Sequence, residues 1–331
     1  MKKLINNPEE VVSEMLEGFV LAHPKQVKLV PNTSVIVRAD SPIQGKVGLV
    51  SGGGSGHEPS HGGFVGTGML DGAVAGEVFT SPTPDQVYEA IKAVDGGKGV
   101  LLIIKNYTGD VLNFEMAAEL AEADGIKVAK VVVNDDVAVE NSTYTTGRRG
   151  IAGTVFVHKI AGALAETGAS LEEVEAVANK VIQNVRSMGM ALTPCTIPAA
   201  GKPGFSIGDN EMEIGMGIHG EPGIERGEIK TADEVTSVLL KKVLDDLQPT
   251  QDEKVAVMIN GLGATPLMEL YILNKKVSDL LKERNIDVYE TFVGEYMTSL
   301  EMAGCSITLL KLDNHLTELL DAKANTVAFK R

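Results

Sequence analysis

Three glycine-framed segments hold the side chains best suited to polar chemistry. In SGGGSGHEPSHGG, residues 51–63, His57 and His61 stand four apart. Glycine has no side chain to pack and costs backbone entropy to order. Such a run points to main-chain N–H groups converging on an oxygen-rich ligand. No nucleotide fingerprint fits, because Gly56 is followed by His57 and Glu58 where a P-loop needs Lys and then Ser or Thr. Counting G-x-G-x-x-G from Gly52 puts His57 where the third glycine belongs. The loop is therefore not expected to bind ATP or NAD. Histidines four apart share a face only on a helix, which these glycines forbid. Metal ligation is accordingly the weaker reading, and an acid/base or substrate-orienting role for His57 the stronger. Two surface histidines beside a turn are the plain alternative.

The second segment, GVLLIIKNYTGD (99–110), runs from apolar to polar and leaves Lys105 through Asp110 at the C-terminal edge of a strand, where open α/β sheets bind ligands. Asp110 could cap a helix over residues 111–123, and Lys105 could be a solvated strand end. A capping carboxylate can also face a cleft and accept the hydroxyl proton of a small polyol. The third segment, EMEIGMGIHGEPG (211–223), alternates as a strand with one buried face: Met212, Ile214, Met216 and Ile218 on one side, Glu211, Glu213, Gly215 and Gly217 on the other. His219 falls on the glycine side, with room above its ring. Glu221 is near enough to orient it, and Glu213 competes for that role. There an imidazole can act as a base or attack a carbonyl to give a carbinolamine-type adduct; spacing leaves both open. Arg148 and Arg149 could meet an anion, although a solvated turn is preferred. Cys195 and Cys305 read as small buried hydrophobes.

These segments need a scaffold. A chain of 331 residues points to two domains of ordinary size. The pattern is α/β: two α/β domains, each a largely parallel or mixed sheet flanked by helices. The boundary is expected at residues 187/188, where a glycine-dense stretch begins. Residues 1–187 would carry His57 and Asp110, and residues 188–331 would carry His219. In the first half, helices are expected over 9–22, 81–94, 113–125, 150–167 and 170–186, with strands at 34–40, 99–110 and 128–135. The glycine-rich part of 46–70 reads as a loop after a short apolar lead-in. Capping boxes are expected at Thr83/Gln86, Ser170/Glu173 and Thr231/Glu234, and Thr265 should cap a helix with Pro266 in its first position. YETFVGEY and CSITLLKLD read as strands.

Thirty basic against 45 acidic residues give a net charge of -15, which argues against direct nucleic-acid binding. The 44% hydrophobic content supports a sizeable core, and with 4% aromatic residues its filling falls to Val, Ile, Leu, Ala and Met. Two cysteines make no disulfide scaffold. Neither a signal peptide nor a membrane-spanning run is read from the sequence, so a cytoplasmic setting without membrane contact is expected.

With these segments in place, the chain resembles the K subunits of bacterial dihydroxyacetone kinases, the family that draws phosphate from the phosphoenolpyruvate phosphotransferase system. The resemblance rests on MKKLINNP, GLVSGGGSGHEPSHGGFVGTGML, EVFTSPTPDQ, GVLLIIKNYTGDVLNFE, DDVAVENSTYTTGRRGIAGT, PAAGKPGFSIGDNEMEIGMGIHGEPGIERG, NGLGATPLMELY and GEYMTSLEMAGCSITLLKLD. It implies a two-domain homodimer that binds dihydroxyacetone covalently, His219 forming a hemiaminal with the carbonyl carbon. It also implies that Asp110 is the general base on the hydroxyl to be phosphorylated, that His57 assists, and that Gly54, Ser81 and Lys105 contact the substrate. No cofactor is expected on this chain. The resemblance puts Mg2+ and bound ADP/ATP on a partner L subunit, recharged by an M subunit, so that this chain alone should not transfer phosphate. The alternatives are a non-catalytic dihydroxyacetone-sensing coactivator of the same family, and a sugar isomerase or aldolase using His219 and Asp110.

Overall fold

The computed structural model describes residues 2–141, 145–250 and 253–331. Met1 of MKKLINNP and residues 142–144 of DDVAVENSTYTTGRRGIAGT lie outside them. In chain order the first half contains α1 (Val11–Ala22), β1 (Val27–Leu29), β2 (Val35–Arg38), β3 (Gly48–Ser55), β4 (Gly66–Thr67) and β5 (Gly72–Val78). These are followed by α2 (Pro84–Val94), β6 (Val100–Lys105), α3 (Thr108–Ala123), β7 (Val128–Val133), α4 (Thr154–Glu166) and α5 (Leu171–Asn184). The remainder is β8 (Val185–Ala191), β9 (Glu211–Ile214), β10 (Glu225–Glu228), α6 (Ala232–Leu247), β11 (Lys254–Gly261) and α7 (Leu267–Glu283). It ends with β12 (Asp287–Gly294), β13 (Gly304–Leu312), α8 (Asn314–Asp321) and β14 (Asn325–Thr326).

Two six-stranded mixed sheets result, ordered β1-β2-β5-β3-β6-β7 and β10-β9-β8-β13-β11-β12. In the first, β3 runs parallel to both β5 and β6, and β6 parallel to β7. The loops after β3, β5 and β6 therefore leave from one edge, where sheets of this kind collect their functional groups. Helices α2 and α3 cover the outer face with Val87, Ile91, Phe114 and Ala118. On the outer face of the second sheet, α6 and α7 bring Leu239, Val243, Leu270 and Val277. Between the sheets lie α4, α5 and α8, whose residues join Leu101 and Val131 of one sheet to Met258 and Leu310 of the other in a single apolar cluster. That placement explains why α4 is buried nearly all round, with His158 and Lys159 inside it.

Local chemistry departs from expectation in several places. The glycines of GLVSGGGS form strand rather than loop, because β3 pairs with β6 up to Ser51 and stays paired with β5 through Ser55. A Cβ on Gly52 would lie 2.5 Å from the Val74 carbonyl, and one on Gly54 2.5 Å from the Thr80 nitrogen. Here glycine serves close backbone packing. The capping boxes at Ser170/Glu173 and Thr231/Glu234 form. At Thr83 none does, since the Gln86 carboxamide accepts from the Ser34 amide at 2.7 Å instead. Thr265 is likewise drawn away, donating to the Gly304 carbonyl, and Pro266 takes the cap position. The alternating run at 211–223 is strand only to Ile214, for Gly215 turns the chain with φ +80°. Glu213 is buried too, paired with Arg226 rather than left on an open face.

Candidate active site

Each sheet delivers part of one cleft of about 500 Å3, lined by Gly54, Phe79, Ser81, Tyr107, Asp110 and His219 among others. His57 follows β3 and is fully buried, so it is no surface histidine. Its Nδ1–H donates to the Thr298 carbonyl at 2.8 Å, which reaches over from the second sheet's β12–β13 connection. Phe79, in the left-handed region with φ +57°, stacks on the His57 ring at 5.1 Å. A bulky residue held there is the kind of backbone strain that gathers at functional sites.

His219 follows the turn after β9 and keeps 15% of its side chain exposed. Tyr107 and Phe79 pack edge-on against it at 4.6 and 5.2 Å. Between the two acidic candidates the geometry is plain. Glu221 accepts from His219 Nδ1 at 3.0 Å and from the His219 amide at 2.8 Å, while Glu213 turns to Arg226 and the Gly223 amide. Burial pushes the Glu221 carboxyl up, but the His219 ring, its hydrogen bond and Arg149 outweigh this and hold it at about 2.

The two rings meet at Nε2–Nε2, 3.0 Å apart. Since each Nδ1 is committed as a donor, that contact requires one shared proton. Burial first, then the neighbouring charges of His219 and Lys105, keep His57 well below its ordinary pKa, so His57 is the acceptor.

Asp110 stands in the first turn of α3, two residues past its first position, and does not cap it; Tyr107 holds the cap position. Its Oδ1 is buried with no partner among the described residues, and its Oδ2 lies 3.7 Å from Lys105 Nζ. Lys105 is 1% exposed, not a solvated strand end, and burial lowers its pKa. Its ammonium donates to the Gly52 carbonyl and faces His61 Nε2, both at 3.0 Å. Ser81 lies over the start of α3, where a Cβ on Gly109 would come within 2.7 Å of its hydroxyl.

His57 and His61 thus point to different partners, one to His219 and the other to Lys105 and His158. Among the described residues, no three His, Cys, Asp or Glu side chains are grouped to hold a metal ion. Arg149 overturns the expectation of a solvated turn: it is fully buried against Asp136 at 2.7 Å and donates to the Gly215 carbonyl, bracing the turn that leads to His219. Arg148 pairs instead with Asp246. Cys195 and Cys305 are both buried. Sequence reasoning passed over Phe79, Tyr107 and His158. Tyr107 was within reach, standing in the singled-out strand end IIKNYTGD; His158 gave no signal in an apolar helix.

A family model described as Dak1 domain matches residues 17–328. The chain is 57% identical over 330 residues to the PTS-dependent dihydroxyacetone kinase 1, dihydroxyacetone-binding subunit DhaK, of Listeria innocua, covering 99% of this chain and 100% of that one. Among solved structures it is similar to the dihydroxyacetone kinase operon co-activator Dha-DhaQ, with a TM-score of 0.89, 36% identity and 98% of each chain covered. It is also similar to the dihydroxyacetone kinase from C. freundii in complex with AMP-PNP and Mg2+, with a TM-score of 0.91 and 36% identity, covering 99% of this chain and 61% of that chain. No helix among the described residues is long and apolar enough to cross a membrane. A family match over nearly the full length, two mixed α/β sheets and the extent of the Listeria likeness together place the chain in the Dak1 family, with the dihydroxyacetone-binding K subunits of phosphotransferase-dependent dihydroxyacetone kinases.

Proposed function

We propose that this chain grips dihydroxyacetone through His219 and presents the hydroxyl of the tethered ketone to Asp110 for phosphorylation. The observation that supports it best is that His219 and Asp110, with an unpartnered carboxylate oxygen, border one cleft. As substrate enters, the proton shared by the two Nε2 atoms passes to His57. The freed lone pair of His219 Nε2 attacks the carbonyl carbon, the C=O π pair moves to oxygen, and that oxygen takes the proton from His57. The adduct is a hemiaminal whose imidazolium Nδ1–H remains on Glu221, so charge balances without a proton from solvent. Glycerol has no carbonyl and is refused.

Tethering fixes the distance from the hydroxyl to Asp110, converting a chance encounter into a positioned one. The hydroxyl oxygen then attacks the donor's terminal phosphorus, Asp110 takes its proton, and the bond to the leaving nucleoside diphosphate breaks. Phosphoryl transfer asks mostly for positioning and charge neutralisation. Reversal of the addition returns the lone pair to His219 and releases dihydroxyacetone phosphate. Gly54, Ser81 and Lys105 serve as substrate contacts. Following the family resemblance, we assign the nucleotide and Mg2+ to an L subunit that docks over the cleft, its recharging to an M subunit, and the working form to a cytoplasmic homodimer. The co-activator likeness supports a second reading, a sensor that captures the ketone without turnover; the higher identity to the Listeria kinase subunit favours the enzyme.

The test uses dihydroxyacetone labelled with carbon-13 at its carbonyl. Wild-type protein should move that carbon's NMR signal from the ketone to the tetrahedral range, and His219→Ala should not. With L and M partners supplied, wild type should make dihydroxyacetone phosphate, while Asp110→Asn keeps the adduct and loses about 10²- to 10⁴-fold in rate. Binding with an unmoved ketone signal defeats the covalent step; an adduct without phosphate transfer leaves the sensor.

A further inference from the structure

A second set of titratable side chains leads away from the cleft into the interior. Lys105 Nζ has three hydrogens. One goes to the Gly52 carbonyl, one to His61 Nε2, and the third is left toward Asp110 Oδ2 at 3.7 Å. Space for the ammonium exists because residue 53 is glycine: a Cβ there would sit 2.4 Å from Nζ. Beyond it, His61 Nδ1 meets His158 Nε2 at 2.9 Å, and both rings are buried. Ser51 is only a distant neighbour of His61 Nδ1, at 3.5 Å, since its hydroxyl donates to the Ile103 carbonyl at 2.6 Å.

The direction of donation follows from the groups themselves. An ammonium has hydrogens and no acceptor, so His61 must offer a lone pair at Nε2. Its own proton then sits on Nδ1 and goes to His158 Nε2, and His158 keeps its proton on Nδ1. Burial, with Lys105's charge behind it, holds both rings neutral, His158 down at about 3.

We propose that His61 is a positioning residue for phosphoryl transfer, acting through Lys105 to hold the ammonium off Asp110 so that the carboxylate stays free for the substrate's hydroxyl. This rests on the reading of Asp110 as the general base. Opposite charges 3.7 Å apart in a dry site attract strongly. Without a competing acceptor, Nζ would close on Oδ2 as a direct charge-assisted hydrogen bond, which favours the ionised carboxylate and weakens it as a base. His61 supplies that competition, and His158 fixes the tautomer that can.

Kinetics of the full system with L and M partners test this on His61→Leu and His61→Gln. Removing the acceptor in His61→Leu should lower kcat about tenfold, the effect of misplacing one hydrogen bond to a charged group. KM for dihydroxyacetone should stay within about twofold, since the change falls on the transition state, and the His219 adduct should form normally. His61→Gln, with a carboxamide oxygen in place of Nε2, should recover most of the rate. An unchanged kcat in His61→Leu overturns the proposal, as does an equal loss in both variants. If His61→Leu does not fold, nitrogen-15 NMR of wild type decides: a proton on His61 Nδ1 is required, and one on Nε2 refutes the chain. Should wild type itself form no adduct, the proposed function fails while the NMR result still judges His61.

Discussion

The molecule holds two pairs of histidines in nearly the same contact, and they differ in what stands beside them. At the cleft, His57 and His219 meet at 3.0 Å and the pair ends on the Glu221 carboxylate. In the interior, His61 and His158 meet at 2.9 Å and the pair ends on the Lys105 ammonium. A carboxylate stabilises positive charge, so the open pair holds a proton between its rings; an ammonium repels it, so the sealed pair stays neutral. Nearly equal N···N contacts therefore give a nucleophile primed with a transferable proton in one case and a rigid acceptor in the other. The third group sets the role of each pair.

The contrast breaks most sharply at Glu221. Glu221→Gln keeps an oxygen for His219 Nδ1–H but removes the charge that retains the shared proton. Two lone pairs would then face each other across the Nε2–Nε2 contact, and Arg149 would lose a nearby counter-charge. Adduct formation should fall about a hundredfold, the scale of a buried charge-assisted hydrogen bond lost, as read by titrating labelled ketone. A variant with wild-type adduct affinity would remove the carboxylate from the account of the open pair.

Much of this was legible in the sequence. His57, Asp110 and His219 were singled out by segment, and the edge position of IIKNYTGD followed from its switch from apolar to polar residues. The strand nature of GLVSGGGS was not legible, because its signal lies in neighbours: Val74, Phe79 and Thr80 press on glycines that read locally as loop. Arg149 misled for a related reason, since a charged residue beside a turn looks solvated until its buried partner is known. His158 was invisible, since it gains meaning only when α4 is laid between the sheets and brought to His61.

A gentler disturbance reaches the same carboxylate from the backbone. Gly217 needs no left-handed conformation, yet a Cβ on it would lie 2.1 Å from Glu221 Oε2 and 2.6 Å from its Cδ. Gly217→Ala should therefore fold and push Glu221 off the His219 ring. We expect the adduct to weaken about tenfold, as small misplacements in a positioned site do, with some loss of thermal stability, because the same Cβ would lie 2.7 Å from Arg149 Nη1. If both adduct and stability are as in wild type, Glu221 has room to yield and its orientation is not what readies His219.

Acid stability separates the pairs as well. His158 has a folded pKa of about 3 against an ordinary 6.5, and His61 is also held well below 6.5, in both cases by burial first and then by Lys105. As pH falls below 6.5 the unfolded chain binds protons that the folded sealed pair refuses. Their contribution is thus complete above 6.5 and declines toward pH 3, each histidine approaching about 1.4 kcal/mol per pH unit. Asp136, pushed up to about 6 by burial, acts in the opposite sense between 3.8 and about 6, because its folded form is the better proton binder there. Glu221 enters only below 4.5, where stability from its depressed pKa is lost toward about 2. The difference between wild type and His158→Leu, followed by urea unfolding from pH 7.5 to 5, cancels these common terms. The variant should lose stability less steeply with acid, by one histidine's share, and its His61 Nδ1–H has Ser51 Oγ within 3.5 Å as a substitute partner. Parallel stability curves for the two proteins would mean that His158 carries a proton in the folded chain, and the distinction between a charged and a neutral pair would be lost.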